Sequence, residues 1–430
     1  MQNANSYWQA TANNTKKRPS LFGEQKTEVT IIGGGFSGLA TSYFLNCLGI
    51  KTILIEQHSI GWGASGRNAG MLTTGFKKST AVLSKKLGTD RAKELLKMSV
   101  DCIRLVDEVA KKEKIDCSLN YNGGLKLAYK SKHFDALRRE HEFMLEKFNY
   151  QTEIIPPSDI EKEINSPIYA HGGLMDPHSY AFHPLNYAIG LGDAVERLGG
   201  IIYENSQVTS VNKFKDGYIV KTENGEIVSN GVVVATNGYT TTNTNKKLTK
   251  SIMPIKSHVI TTEPLPKELS KRLIPHNRVS IDTKNFLYYF RMTEDYRLLF
   301  GGRVSFVKKD NSQNNPELYE VLRRNMVNVF PELKDTKVDY QWGGTTAFTF
   351  DFMPHLGKTE EGLFYMTGFC GHGAAMSTLL GKIIASSIAE KNQLDNVLGD
   401  LPLTKIPFHN QRGKILSLAE NYLKVIDKIS

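Results

Sequence analysis

Cysteine is scarce in this chain of 430 residues: Cys47, Cys102, Cys117 and Cys370 stand far apart, with no CxxC pair among them. Such spacing gives no disulfide framework and suits free thiols in a reducing compartment, so a cytoplasmic location is expected. Zinc-finger spacing is missing too, and no metal site is expected. No run of 18 apolar residues occurs, so no membrane span is expected. The opening Met1-Gln2-Asn3-Ala4-Asn5-Ser6 lacks the charged and apolar regions of a secretory signal. Blocks of five or more like charges are also absent, although 54 basic against 44 acidic residues leave a charge of +10. The excess is scattered, as in Lys77-Lys78, Lys111-Lys112 and Lys308-Lys309. A solvated basic surface, and no nucleic-acid partner, is therefore the expectation. Mild attraction to acidic substrates or membrane surfaces stays open.

What the chain does contain is ordinary globular composition, 40% hydrophobic and 23% charged, with length enough for a large core and two domains. Its sharpest local signal is Thr27-Glu28-Val29-Thr30-Ile31-Ile32, a β-branched apolar run that enters Gly33-x-Gly35-x-x-Gly38. A helical pattern follows (Leu39, Ala40, Tyr43, Phe44, Leu45, Leu48), then a second strand, Lys51-Thr52-Ile53-Leu54-Ile55, ending in Glu56. Strand, turn, helix, strand and acid at this spacing make an adenine-dinucleotide unit. The first glycine permits the tight turn, the second lets a pyrophosphate approach the backbone, and the third lets helix pack on strand. Unpaired N–H groups of the helix start would face the phosphates. Glu56 would accept from the ribose hydroxyls, and its charge argues against a 2′-phosphate, hence against NADP. Between NAD and FAD the fingerprint does not choose.

Along the rest of the chain, the polar first 20 residues read as an arm over the surface. Helical periodicity runs from about 83 to 115 and from about 132 to 148, and Tyr121-Asn122-Gly123-Gly124 looks like a turn entering a strand. His183-Pro184 opens a helix, with proline in the first turn where its missing N–H costs nothing, and Gly199-Gly200 ends it. Short strands are expected at 201–203, 208–211 and 218–220, and a buried parallel strand at 231–236. From about 250 to 335 the pattern alternates like a separate sheet. A last apolar strand, 363–366, leads to Gly371-His372-Gly373 and a helix. The nucleotide-binding strands thus come from the beginning, middle and end of the chain.

Three further glycine-rich stretches bear on the cofactor. In Gly61-Trp62-Gly63-Ala64-Ser65-Gly66-Arg67-Asn68-Ala69-Gly70, small residues let backbone approach a flat ligand, while Ser65, Arg67 and Asn68 offer donors. The second is Ala235-Thr236-Asn237-Gly238-Tyr239. The third, Gly371-His372-Gly373, opens a helix whose positive end would stabilise the negative charge of a reduced flavin.

At these residues the chain resembles the FAD-dependent D-amino-acid oxidase superfamily, within it the bacterial γ-glutamylputrescine oxidases most, and also the glycine oxidase-like amine oxidases. The Gly63 to Asn68 motif, Ser6-Tyr7-Trp8 with Arg18-Pro19-Ser20-Leu21, and His183-Pro184-Leu185-Asn186 carry the likeness. So do Phe300-Gly301-Gly302, Trp342-x-Gly344, the Gly-His-Gly helix and Gly381-Lys382. The resemblance spans about residues 6 to 410. It implies an α/β fold: a discontinuous Rossmann-like FAD-binding domain of the GR2 type, with an inserted, mostly antiparallel β-sheet substrate domain. On that reading 24–115, 178–248 and 336–392 form the FAD-binding domain, 116–177 and 249–335 the substrate domain, and 393–430 a helical tail.

The resemblance further implies amine oxidation. A C–N bond of an amine or amino acid (γ-glutamylputrescine-like, glycine or an N-alkyl amino acid) becomes an imine as hydride passes to flavin N5. The imine hydrolyses, and oxygen reoxidises the flavin to give hydrogen peroxide. An amine dehydrogenase serving a carrier or quinone, or a non-catalytic FAD-binding subunit, are the alternatives. Some relatives link FAD to a cysteine before the final strand. Here 342–357 holds no cysteine and Cys370 reads as packing, so FAD is expected to be non-covalent.

Residues expected on FAD are Gly33, Gly35, Phe36, Ser37, Gly38, Glu56 and Gln57; Gly63, Ala64, Ser65, Arg67, Asn68, Ala69, Gly70 and Met71; Val208, Thr236, Asn237 and Gly238; and Gly371, His372, Gly373 and Ala374. Hydride transfer from a neutral amine needs positioning and exclusion of water more than an acid–base pair. Tyr289 and Arg291 share a strand face, and Arg291 either pairs with a substrate carboxylate or is an ordinary surface arginine. Arg303 is its rival. His372 either touches the flavin or only orders its turn, and His183 reads as a helix-entry residue rather than a catalyst.

Overall fold

The computed structural model describes residues 6–13, 16–306, 316–392, 394 and 397–411. Five strands of its first sheet run parallel in the order Phe364–Thr367, Gly225–Val234, Gly23–Ile32, Thr52–Ile55 and Ile201–Tyr203. His355–Lys358 adds antiparallel at one edge, and the hairpin Ser210–Phe214 with Gly217–Lys221 pairs onto Gly225–Val234. The carboxyl half of the central strand, Val29 to Ile32, is buried on both faces because both are covered there. Val29 and Ile31 pack with Leu39, Tyr43, Leu380 and Ile384 of the helices Phe36–Cys47 and Gly373–Glu390. Ile32 turns the other way, to Ile53, Ile55, Val232 and Val234. The two-residue period of the pleat separates these sets, and each fully buried aliphatic chain contributes about 1.5–3 kcal/mol.

The second sheet also has eight strands: Val338–Phe348, Met253–Thr262, Leu298–Phe306, Tyr289–Met292, Val279–Asp282, Gly124–Leu127, Gly173–Asp176 and Glu153–Ile155. Every neighbouring pair is antiparallel except Val279–Asp282 with Gly124–Leu127. The helix Pro316–Val329 covers one face, its Tyr319, Leu322 and Met326 packing on Ile260, Phe290, Leu298 and Phe300. The other face offers Val259, Leu299 and Trp342 to Tyr7 and Trp8.

Several expectations change in detail. The helix expected over 83–115 is two, Thr80–Leu87 and Thr89–Lys112, parted at Gly88, whose φ of 88° no helix accommodates. Strand Val338–Phe348 falls inside the segment 336–392, yet it hydrogen-bonds along Met253–Thr262 and so belongs to the second sheet. Among its described residues the N-terminal arm is exposed at Gln9, Ala10, Asn13, Lys16, Lys17, Pro19 and Ser20, but Ser6, Tyr7, Trp8 and Arg18 are buried. Tyr7 is 5% and Trp8 1% exposed, since the two aromatics fill the apolar face of the second sheet. Of the tail expected over 393–430, residues 393, 395, 396 and 412–430 lie outside the described residues; the described part carries the 3-10 turn His409–Gln411. Among the described residues, no helix is long and apolar enough to cross a membrane.

Candidate active site

A cavity of about 400 Å³ separates the two sheets. The carboxyl ends of the parallel strands form one wall through Ile32, Gly33, Ile55, Glu56 and Ala235, which is where open α/β sheets bind ligands. The second sheet supplies the opposite wall, with alternate residues Ile255, Ser257 and Val259 from one strand and Gly344, Thr345, Thr346 and Phe348 from the next.

At one end the glycine fingerprint is folded as its spacing requires. Gly33 has φ 109° and donates to the Ile55 carbonyl (2.9 Å); a Cβ there would meet the Ala235 carbonyl oxygen at 2.8 Å. A Cβ on Gly35 would come within 2.9 Å of Ser65 Oγ, which itself accepts from the Phe36 N–H (2.8 Å). The N-cap Gly35 has no side chain of its own, and apart from the Phe36 N–H held by Ser65 the positive end of the helix Phe36–Cys47 is available to an anion. Glu56 accepts from the Gly34 N–H (2.7 Å) and the His58 N–H (2.9 Å). Burial pushes its pKa up while these two backbone donors oppose the rise. Gln57 and Val208 complete this end. The cradle is thus closed to any side chain at Gly33 and Gly35 and left free for an adenine dinucleotide.

The loop after Glu56 lines the middle of the cavity with Gly63, Ala64, Ser65, Arg67, Asn68, Ala69 and Met71. Its own polar groups are mostly committed. Arg67 donates through Nε to the Trp62 carbonyl (2.6 Å) and through Nη1 to the Gly343 carbonyl (3.2 Å), and it stacks on the Trp62 ring. Asn68 donates to the Ala64 and Ser65 carbonyls and accepts from the Gly70 N–H. Four successive carbonyls of the loop each take a donor from a different part of the chain. Arg67 O receives Trp342 Nε1 (2.9 Å), Asn68 O receives Trp8 Nε1 (2.8 Å), Ala69 O receives Arg291 Nε (3.0 Å) and Gly70 O receives the Phe182 N–H (3.0 Å).

The far end gathers Tyr289, Lys77, Cys370, Gly371, His372, Gly373 and Ala374. Tyr289 shares a hydrogen bond with Ser257 Oγ (2.8 Å), and burial pushes its phenol up to about 12. Burial likewise raises the Cys370 thiol to about 11; it donates to the Gly368 carbonyl (3.0 Å). His372 Nδ1 is buried with no hydrogen-bond partner among the described residues, a polar atom left over for a bound group.

Most of the residues chosen from the sequence meet on this cavity, Phe36, Ser37, Thr236 and Asn237 among them. Gly38, Gly70 and Gly238 do not line it and serve packing instead. A Cβ would reach Gly33 O at 1.9 Å from Gly38, Phe182 O at 2.3 Å from Gly70 and Thr345 O at 3.2 Å from Gly238. Arg291 is neither on the surface nor in the cavity. It leaves its strand on the same side as Tyr289, but there the loop and the Trp8 ring cover it, and its guanidinium donates to Ala69, Met292 and Phe182 carbonyls. The Arg303 side chain lies outside the described residues. Sequence reading missed Trp62, Lys77, Tyr239, Ser257, Asn285 and Thr346, all on the cavity. Trp62 and Tyr239 stood inside the glycine-rich stretches already singled out, whereas Lys77, Ser257, Asn285 and Thr346 belonged to no motif.

Two histidines near the site are held neutral. Burial, aided by the Arg291 charge, lowers His183 to about 4; burial, aided by Lys77 and Lys126, lowers His372 to about 4. His183 caps the helix Pro184–Arg197, its Nδ1 accepting from the Asn186 N–H (3.1 Å). An unfolded imidazole titrates near 6.5, so below that pH the unfolded chain binds protons that the folded one refuses. Stability is intact above pH 6.5 and is lost as pH falls to about 4. For His183 alone the loss is on the order of 3 kcal/mol, at about 1.36 kcal/mol per unit. His183→Asn keeps a capping oxygen without the proton site, so its melting temperature is expected to fall less than that of the parent between pH 7 and 4. Parallel melting curves across that range would remove His183 as an acid-sensitive group.

The sequence profile of the family described as FAD dependent oxidoreductase, DAO, matches residues 28–387. Gamma-glutamylputrescine oxidoreductase of Escherichia coli (strain K12) is 32% identical over 406 residues, covering 94% of each chain. Among solved structures, glycine oxidase from Geobacillus kaustophilus superposes with a TM-score of 0.76 at 20% identity, covering 89% of this chain and 99% of that one. L-proline dehydrogenase from P. horikoshii gives 0.71 at 22% identity, covering 88% and 96%.

Proposed function

The chain belongs to the DAO family of FAD-dependent oxidoreductases, and we propose that it oxidises a primary or secondary amine to an imine, with oxygen as the electron acceptor. For a primary amine the balance is R–CH₂–NH₂ + O₂ + H₂O → R–CHO + NH₃ + H₂O₂, the imine being hydrolysed after it forms. When bound, FAD supplies a two-electron acceptor for hydride leaving the carbon beside nitrogen. The cavity is the observation that carries this reading: one continuous space runs from the dinucleotide grip at Gly33 and Glu56 to a chamber at Tyr289 and His372.

Each part of the chain has its work in that chamber. Ile255, Val259, Leu287 and Phe348 give it apolar walls that keep water from the reacting carbon. Tyr289, fixed by Ser257 and protonated at all working pH, offers a hydrogen-bonding edge at a set position. His372, neutral above pH 5, does not add a positive charge against an arriving ammonium. With Glu56 as the cavity's acidic residue among those described, and it at the opposite end, the amine must give its proton to solvent and bind neutral. The uncapped N-terminal end of helix Gly373–Glu390 favours negative charge in the cavity. FAD is held without a covalent bond: Cys370 stays a buried thiol on the Gly368 carbonyl. The Escherichia coli relative's name makes γ-glutamylputrescine the first amine to try, and four unpaired cysteines, three of them buried, suit the cytoplasm.

Anaerobic addition of γ-glutamylputrescine, putrescine, glycine, sarcosine and D-amino acids to the yellow protein is expected to bleach the flavin absorbance with at least one of them. Re-exposure to air should then yield one peroxide per amine oxidised. Bleaching without peroxide would assign the electrons to another carrier; no bleaching by any amine would overturn the reading.

A further inference from the structure

The hairpin tip 283–288 joins strands Val279–Asp282 and Tyr289–Met292 at the edge of the chamber: Ile281, Asn285 and Leu287 line the cavity, and Tyr289 follows at once. Loop tips are where chains commonly open. This one is knotted. The side chain of Asp282 is 0% exposed and does not line the cavity, and four donors converge on its carboxylate. Oδ1 accepts from the Lys284 N–H (3.2 Å) and the Tyr288 N–H (3.1 Å), which folds the tip back on the strand that starts it. Oδ2 accepts from the Tyr169 hydroxyl (2.8 Å) and pairs with the Lys284 ammonium (2.9 Å). That ammonium lies 3.4 Å from the centre of the Tyr288 ring and 4.8 Å from that of Tyr129. Thr283 makes a second tie. Its N–H donates to the Leu127 carbonyl (3.1 Å), and its Oγ1 accepts from the Tyr129 N–H (3.1 Å) and shares a hydrogen bond with His133 Nδ1 (2.7 Å). The tip is thus fastened to strand Gly124–Leu127 and helix Ser131–Phe148 as well as to its own hairpin.

We propose, on the reading that this chamber oxidises amines, that Asp282 is a positioning residue for the reaction: through the knotted tip it sets where Asn285, Leu287 and Tyr289 stand against the substrate. A carboxylate held away from water is satisfied only by the geometry that brings all its donors together. Burial pushes the Asp282 carboxyl up, while Lys284 and Tyr169 oppose the rise. An amide in its place still accepts the two backbone N–H groups but leaves the Lys284 ammonium without its counter-charge; a methyl group releases all four donors. The tip then opens, Leu287 leaves the apolar wall, and water reaches the reacting carbon. Placement at that carbon governs the rate of hydride transfer more than it governs affinity.

The test uses the FAD-loaded enzyme with Asp282→Asn, Asp282→Ala and Thr283→Val. Tryptic cleavage after Lys284, timed and identified from the fragment masses, reads the tip directly. It should be slow in the parent, on the order of 10-fold faster in Asp282→Ala, and intermediate in Asp282→Asn. With the amine that bleaches the flavin best, the anaerobic reduction rate at saturating amine is expected to fall on the order of 10-fold in Asp282→Ala and a few-fold in Asp282→Asn, with KM changed less. A purely structural role would lower FAD content or melting temperature and leave the reduction rate of the loaded fraction at the parent value, which would overturn the proposal. Unchanged cleavage in all three variants would overturn it too. Should Asp282→Ala not fold, Asp282→Asn and Thr283→Val carry both measurements, with faster cleavage and a few-fold slower reduction expected in each. If no amine reduces the parent flavin, the oxidase reading fails by itself, and the cleavage rate still decides whether Asp282 holds the tip.

Discussion

Replacing Gly38 by alanine is expected to yield a folded chain that has lost most of its FAD, with affinity lower on the order of 10- to 100-fold. The added Cβ would sit 1.9 Å from the Gly33 carbonyl oxygen and 3.2 Å from Ile31 Cγ2. Its obstacle is backbone, which cannot turn aside as a side chain tip can. Helix Phe36–Cys47 and the Gly33 turn must part by roughly an ångström, an overpacking that costs about 1–3 kcal/mol. That parting also carries the helix's positive end away from the turn it serves. FAD released by acid per mole of protein, after dialysis, measures the effect. Gly231→Ala is the control, since its nearest neighbour, Val29 Cγ2, would be 3.8 Å away; it should stay yellow. A Gly38→Ala protein with undiminished FAD affinity would show that close packing of helix on turn is not what holds the dinucleotide.

Gly301→Ala is expected to spare FAD and to lower kcat/KM by about 100-fold, because a misplacement of about 1 Å at a reacting centre has that scale. Gly301 and Tyr289 are cross-strand partners, and the phenol ring lies against the glycine. An added Cβ would stand 1.9 Å from Tyr289 Cε2 and 2.2 Å from Cζ. The ring must swing away, which breaks its bond to Ser257 and reshapes the chamber wall. Tyr289→Phe keeps the ring and removes only the hydroxyl, so it should cost roughly 10-fold. Steady-state kinetics on the amine that bleaches the flavin best, with FAD content measured alongside, separates the two. Equal kcat/KM for Gly301→Ala and the parent would take Tyr289 out of the substrate site.

The fingerprint was legible because its meaning is local: turn, helix start and acid follow within a few tens of residues, and each residue type has one conformational reason to be there. Gly33 makes its tight turn at φ 109°, and Glu56 stands on the cavity at the end of the second strand. Arg291 was not legible, because its partners, the Ala69 and Phe182 carbonyls, lie 222 and 109 positions away. An arginine on a strand face looks the same whether it awaits a carboxylate or ties two loops together. Gly70 and Gly238 are glycines for packing reasons that appear only when Phe182 and Thr345 arrive beside them. Strand Val338–Phe348 joined the wrong half on paper since strand pairing is chosen by distant partners, not by its own alternation. Trp8 hid in a polar arm for the same reason. A lone lysine such as Lys77 carries no pattern at all.

The four carbonyls from Arg67 to Gly70 have a bearing on biosynthesis. Their donors stand at positions 342, 8, 291 and 182, so the loop is not satisfied until Trp342 has left the ribosome. A buried carbonyl without a partner costs about 1–3 kcal/mol, which keeps the loop open in every shorter nascent chain. A chain that ends before Trp342 lacks one of the four donors of this loop and is expected to hold FAD less tightly. A truncation that removes Trp8 is expected to loosen the cofactor, since it leaves the Asn68 carbonyl without its donor.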